Sequence, residues 1–475
     1  MRKLTLTAAL IAVLGLSGCD KELNLVPYNS ITVDQAFATT TDFANAVNGM
    51  YAGFLGASYY GGDMIILPDL LADNLIINQR GRLTNRAFSE YLYSGATTSQ
   101  LYFDAYIPVL RANAVLENLE KLPDATLRPN YRGEALAARA LAHFDLLRLY
   151  GKGYLSAGAD DLGVAYVTST DATQKPAREP VKTGYDKVVA DLVEAEGIIN
   201  ANAKNGVGRL GKEAVNGLLS RIYLYRGEWQ KAADAATKAL AVSPSVATIA
   251  ELPALFKDAT ETGVLFKLRI VDKDNITVGV NYSQSSANGI RSEYVVDYDL
   301  YQKYAKNDVR LTAGIATSSF SGTPYNHVAK YFGRAIGNAN VVDVKILRTA
   351  EVLLNRAEAL YRLSKDADAL ADLNRLRINR YTGFDATKAT ETGDDLLTAI
   401  NLERRLELAF EGHRFFDLKR NNRPVVRNLK FGDLADGKGV TYVNGGLAIN
   451  DPKFQLPIPQ SEINANANIR QNPGY

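Results

Sequence analysis

The sequence predicts a mainly α-helical fold. Tetratricopeptide-like helix pairs form a scaffold, beside an irregular, loop-rich half that contains short strands. Three observations predict it. Long stretches at 100–121, 130–150, 184–200 and 211–242 carry apolar residues at helical spacing. Two segments, "LYRGEWQKAADAATKAL" (224–240) and "LYRLSKDADALADLNRL" (360–376), align with each other without a gap. Each joins a helix with large apolar residues to one rich in small residues. That is the pattern of a tetratricopeptide-type pair, in which small side chains let the second helix approach the first. Residues 260–345 and 421–457 lose this periodicity and read as turns and short strands.

The elements follow in order. Residues 1–18, "MRKLTLTAALIAVLGLSG", have a basic start and an apolar run ending in small residues, which predicts a signal peptide. The run closes as "LSGC", the pattern of a bacterial lipobox. Cys19, the one cysteine of the chain, is therefore the expected lipidation site. Residues 19–32 read as a lipidated tether and 33–475 as the folded body. Acyl chains on Cys19 would anchor a body that offers no further run of apolar residues long enough to span a bilayer. From Phe43 the spacing is helical, with Thr41 and Asp42 as capping candidates. Helical patterns at 100–121 and 130–150, joined by "LPDATLRP", read as a helical hairpin. Residues 151–180 are an irregular excursion. Helix pairs are expected near 130–150, 211–242 and 346–378, separated in sequence rather than in tandem. Trp229, the only Trp, sits in one of the turns and reads as a turn anchor.

Bulk properties exclude several classes. The 475 residues are 47% hydrophobic and 22% charged, which is ordinary for a globular body. A net charge of +2 gives no basic surplus for nucleic acid. With a single cysteine, neither an internal disulfide nor a thiolate metal cluster is expected.

The stretch "ERRLELAFEGHRFFDLKR" (403–420) concentrates acidic residues around His413, one of three His in the chain. A zinc helix of the H-E-x-x-H kind needs two His four apart on one face. Here there is one, on the apolar side with Leu402, Leu406, Ala409, Phe410 and Phe416. The reading is a long packed helix over 395–420 whose charges pair with neighbours, and no metal is expected. His143 and His327 have no triad context, and no phosphate loop or nucleophile elbow appears. "DKDN" (272–275) and "DLADG" (433–437) lack the full spacing of a calcium loop. No catalytic residue and no cofactor is expected.

A sugar site needs aromatic faces for the apolar side of a pyranose and polar groups for its hydroxyls. Two stretches offer the mixture. One supplies Arg80, Arg82, Asn85, Tyr91 and Tyr93; the other supplies Tyr282, Gln284, Asn288, Arg291 and Tyr294. The loop pair Tyr59–Tyr60 is a third possibility. Each Tyr could equally pack within its own subdomain.

"LSGC", "GEALAARALAHFDLLRLYG", "AVNGLLSRIYLYRGEWQKA", "RTAEVLLNRAEALYRL", "ERRLELAFEGHRFFDLKR" and "LPIPQSEINANANIRQNPGY" together resemble the SusD/RagB family of Bacteroidetes nutrient-binding lipoproteins. They span the chain in the family's order, with the C-terminal signature over 395–475. The segment "KGYLSAGADDLGV" departs from the family pattern. The resemblance implies a surface-exposed, lipid-anchored protein of the outer membrane that binds oligosaccharide through irregular loops. It also implies a SusC-like TonB-dependent transporter as partner, with no bond broken. Peptide or another nutrient is the alternative cargo. A helical-repeat adaptor that binds only proteins is a rival of a different class. The resemblance makes 403–420 a structural signature.

Overall fold

The computed structural model describes residues 33–334 and 337–475. The signal peptide, tether and Cys19 named above lie outside the described residues.

Helix α1 (Thr40–Ala52) starts two residues earlier than a cap at Thr41 would set it. Thr39 caps it, and its hydroxyl and backbone exchange hydrogen bonds with Asp42 in a capping box. Short α2 (Asp63–Leu70) follows. The scaffold is α3 (Ser99–Asn118), α4 (Arg128–Tyr150), α5 (Val181–Ile198), α6 (Lys212–Arg226), α7 (Trp229–Val242), α8 (Thr349–Arg362), α9 (Asp366–Arg377) and α10 (Gly393–Leu408). Each helix from α3 to α10 packs on the next. The pairs that are apart in sequence are therefore consecutive in space: α7 lies against α8 across the whole 243–348 insertion.

Local chemistry explains the close pairing. Gly227 ends α6 in the left-handed region at φ +71°, where glycine has no steric penalty. Ala232, Ala235, Ala236 and Ala239 of α7 are buried, so the helix sits close to its neighbours. Trp229 packs beside Leu224, Ala232 and Ala359, with the Arg362 guanidinium over its ring. It is a turn anchor.

The other half is built from short antiparallel pairs. β1 (Leu75–Ile77) pairs with β5 (Tyr294–Val296), setting Leu75 opposite Val296 and Ile77 opposite Tyr294. β2 (Val264–Leu268) pairs with β8 (Val344–Arg348) across an irregular register. β3 (Gln284–Ser286), β4 (Gly289–Arg291), β6 (Ile315–Phe320) and β7 (Thr323–Val328) form one four-stranded sheet in that order. The C-terminal "RQNPGY" docks on the end of α4. The Asn472 amide donates to the Tyr150 and Leu456 carbonyls at 2.7 Å each.

The 403–420 stretch is not one helix. α10 stops at Leu408 and α11 (Arg414–Arg420) begins after a turn with Phe410 at φ +68° and Gly412 at φ +80°. The cause lies on α2, where the Asp69 carboxylate accepts the backbone N–H of Phe410 at 3.1 Å and of Gly412 at 3.2 Å. A Cβ on Gly412 would stand 2.6 Å from the Met64 carbonyl oxygen. Leu402, expected on the packed side, is 40% exposed.

Candidate functional site

Two of the regions that concentrate charge coincide with stretches singled out in the sequence, and of these only one faces outward. The first is the 403–420 signature. Glu407 accepts from Arg380 at 2.7 Å and Arg348 at 2.8 Å, with Arg310 at 3.7 Å. Glu411 pairs with Arg348 and Lys330, Arg404 with Asp417, and Arg420 with Glu358. All of these groups are buried except Glu411 and Asp417, whose side chains are still no more than 12% exposed. Burial alone would raise the Glu407 carboxyl, but Arg380 and Arg348 outweigh it and hold it well below the usual range. Burial, then Arg221 and Arg404, keep the His413 imidazole neutral, so its 3.8 Å approach to Glu351 is not an ion pair. His143 is also buried and pushed down to about 3, stacked on Tyr166 at 3.9 Å. Tyr59 and Tyr60 are buried and donate to Asp145 at 2.6 and 2.8 Å. Among the described residues no group of His, Cys, Asp and Glu is placed to hold a metal ion. In the two acidic loops, the Asp433 carboxylate accepts backbone N–H groups of Gln79 and Val440, and Asp274 accepts that of Val271.

The second region is an outward face where distant segments meet around Glu293. The Glu293 side chain is 1% exposed; Arg82 Nε reaches it at 3.0 Å from a side chain that is 44% exposed. Arg291 approaches the same carboxylate at 3.9 Å. The Arg82 backbone N–H also donates to it. Gln284 sits opposite Arg291 in the β3–β4 register, so the two share a face. The loop bearing Arg80 is latched on both sides: before it Asn78 N–H donates to the Glu293 carbonyl at 3.0 Å and Gln79 N–H to Asp433 at 3.1 Å, and after it the Arg82 N–H holds the Glu293 carboxylate. The Tyr325 phenol is raised by burial and by Asp433, with the Arg80 charge opposing, and a Cβ on Gly81 would stand 3.1 Å from the Glu293 Cα, so the Arg80–Arg82 loop lies against Glu293. Asn288 is exposed in the β3–β4 turn, its carbonyl accepting Ser321 N–H at 2.8 Å.

The tyrosines of the two candidate stretches turn inward and do not present their rings on this surface. Tyr91 donates to the Leu71 carbonyl at 2.7 Å with Arg427 over its ring. Tyr93 donates to the Lys453 carbonyl and stacks on Phe88. Tyr282 stacks on Tyr331 at 5.7 Å, and Tyr294 donates to the Thr84 carbonyl at 3.1 Å. All four are buried. Asn85 donates to Asp63 at 3.0 Å, tying the loop to α2. Sequence reasoning did not single out Glu293 or the half-buried rings Tyr298, Tyr301 and Phe431 beside the 433–440 loop, and it weighed Asp433 only as part of an incomplete calcium loop. Glu293 had a signal, standing two residues from Arg291 in the same stretch.

The architecture defines a class: a helical-repeat scaffold carrying a loop-built polar face, with no helix among the described residues long and apolar enough to cross a membrane. Two models of one family divide the chain between them. "SusD family" matches residues 274–475, and "Starch-binding associating with outer membrane" matches 27–224. The chain belongs to the SusD family. It is 26% identical to SusD-like protein P2 of Formosa agariphila, with all of both chains covered. It is 32% identical over 145 residues to the starch-binding protein SusD of Bacteroides thetaiotaomicron, covering 30% of this chain and 24% of that one. A SusD superfamily protein of Bacteroides thetaiotaomicron superposes with a TM-score of 0.80 at 27% identity, covering 92% of this chain and 100% of that one. Proteins of this family are carbohydrate-binding and associated with the outer membrane.

Proposed function

We propose that this protein is a lipid-anchored binding protein of the outer-membrane surface. It captures an oligosaccharide at the Glu293 face and delivers it to a SusC-like TonB-dependent transporter, without breaking a bond. Cys19 carries the anchor. The observation that carries the binding site is the convergence of Arg80, Arg82, Gln284 and Arg291 on one outward face, held by loops from four parts of the chain. Guanidinium forks and a side-chain amide are the donors that sugar hydroxyls need. Asn288 lies at the rim, Tyr282, Tyr294 and Asn85 hold the loops from within, and Tyr91 and Tyr93 pack inside the body. The half-buried rings Tyr298, Tyr301 and Phe431 supply apolar contact. The name of the Bacteroides relative, a starch-binding protein, supports a glycan cargo.

The test is calorimetric titration of the purified protein with panels of oligosaccharides and oligopeptides. Saturable glycan binding that is lost in Arg82→Ala with Arg291→Ala is the expected result. Peptide binding alone would move the same machinery to a peptide cargo. Silence to both panels with capture of protein partners only would identify a helical-repeat adaptor, and turnover of a bound glycan would make the protein an enzyme.

A further inference from the structure

A second cavity lies away from this face and shares no lining residue with it. It measures about 160 Å³ and is walled by α11, the Lys152–Ser156 turn and residues 450–455. Lys419 lines it and is only 8% exposed. Its ammonium donates one hydrogen bond, to the Arg148 carbonyl at 2.7 Å. No carboxylate lies within ion-pairing distance. The other buried lysines each have one: Lys267 with Asp343, Lys330 with Glu411 and Lys345 with Asp258. Buried Arg178 and Arg427 also lack a carboxylate, but carbonyl oxygens surround their guanidiniums. Lys419 is thus a nearly buried amine at a cavity wall with one protein acceptor, no carboxylate partner and capacity for two further hydrogen bonds, an arrangement that an anion in the cavity would stabilise.

The surrounding charges point the same way. Arg148 and Arg420 are each ion-paired elsewhere, and Lys152 pairs with Asp161 at 2.7 Å. Exposed Arg423 also lines the cavity and makes no ion pair. The one carboxylate in the wall, Asp451, accepts Lys453 N–H at 2.8 Å. A single acid among these cations suits a monoanion better than a dianion, which it would repel.

We propose that this cavity binds a carboxylate-bearing small ligand, whose oxygens take the unfilled hydrogens of Lys419, with Arg423 as the second cation. Burial, reinforced by the Arg148 charge, brings the Lys419 ammonium down to about 7, so the side chain is only partly charged near neutral pH. An arriving anion favours the charged form, and binding slightly above neutral pH takes up a proton.

The experiment is calorimetric titration of the whole protein with glucuronate, N-acetylglycine, glucose and inorganic phosphate, in two buffers of different ionisation heat. Saturable binding of glucuronate or N-acetylglycine with proton uptake is expected, and the two arms separate an acidic sugar from a peptide terminus. Glucose should give no heat at this site. Lys419→Met should weaken binding by at least about tenfold, the loss of one charge-assisted hydrogen bond. Its melting temperature should not fall, because an unpaired buried charge has been removed. Arg423→Ala, at an exposed position, should weaken binding with the fold intact. Arg82→Ala should leave it unchanged, which separates failure here from failure at the Glu293 face. Absence of binding by either carboxylate, preference for phosphate, or full affinity in Lys419→Met would overturn the assignment.

Discussion

The 403–420 lattice and the Glu293 face are made from the same groups, guanidiniums and carboxylates, yet they differ in how fully each group is used. In the lattice Glu407 meets Arg380 and Arg348 in a buried setting, and the Arg380 guanidinium also reaches the Ala247 and Asn379 carbonyls. Nearly all of this capacity is spent inside the lattice, with Arg404 Nη2 and His413 Nδ1 as buried atoms that take no hydrogen-bond partner among the described residues. At the face one buried carboxylate anchors guanidiniums whose outer surfaces stay in solvent. Unspent hydrogen-bonding capacity marks a binding surface better than charge density does, and the densest charge in the chain belongs to the frame.

The comparison breaks hardest at Glu407. Glu407→Ala should cost about 3–5 kcal/mol, because Arg380 would be left buried without a carboxylate and Arg348 and Arg310 would each lose one of theirs. Urea denaturation would show the midpoint fall. A variant within about 1 kcal/mol of the parent would mean that the lattice tolerates unpaired charge. Asp69 tests the opposite case, a buried carboxylate with no guanidinium partner. Burial raises it to about 6, with hydrogen bonds from Asn74, Phe410 and Gly412 only partly opposing. Its folded-state pKa lies above its unfolded one. Between about pH 4 and 6 the folded state therefore holds more protons, and stability from this group falls as pH rises, by about 3 kcal/mol at most. Stability measured across that window should lose this slope in Asp69→Asn. Gly412→Ala comes next. The left-handed backbone and the Met64 carbonyl at 2.6 Å should make it cost about 2 kcal/mol in the same denaturation assay.

Much of the frame was legible because its signals are local. Helical periodicity and the Ala-rich partner helix locate the pairs, and the 224–240 and 360–376 alignment marks them as copies of one design. That the pairs stack without interruption was not legible, since α7 meets α8 across an insertion that hides the neighbour relation. The break within 403–420 was half visible. A glycine such as Gly412 weakens a helix by its composition alone, but the turn also needs Asp69, a residue 341 positions from Phe410. The face divides in the same way. Arg80, Arg82, Gln284 and Arg291 are recognisable as polar loop residues. Whether Tyr91 or Tyr294 offers its ring outward depends on which distant carbonyl takes its hydroxyl, and that is settled only by tertiary packing.

The smallest expected effect on stability is at the face itself, and there it separates from function. Arg80 is exposed, and Arg80→Ala should change stability by about 0.5 kcal/mol or less. Arg82→Ala should cost about 1 kcal/mol. Its ion pair is half in solvent, and the Arg82 backbone N–H and the Thr84 hydroxyl still hold the Glu293 carboxylate. Both variants should nonetheless lose glycan affinity by about tenfold each, since a guanidinium that donates to ligand contributes about 1.5–3 kcal/mol. Tyr294→Phe gives the reverse pattern. It removes one buried hydrogen bond to Thr84, costs about 1 kcal/mol of stability, and leaves ligand contacts in place. Titration and denaturation of the three variants side by side would place each residue in the frame or on the surface. If Tyr294→Phe abolished binding while Arg82→Ala spared it, the ligand would lie deeper than the Glu293 face, against the rings now counted as core.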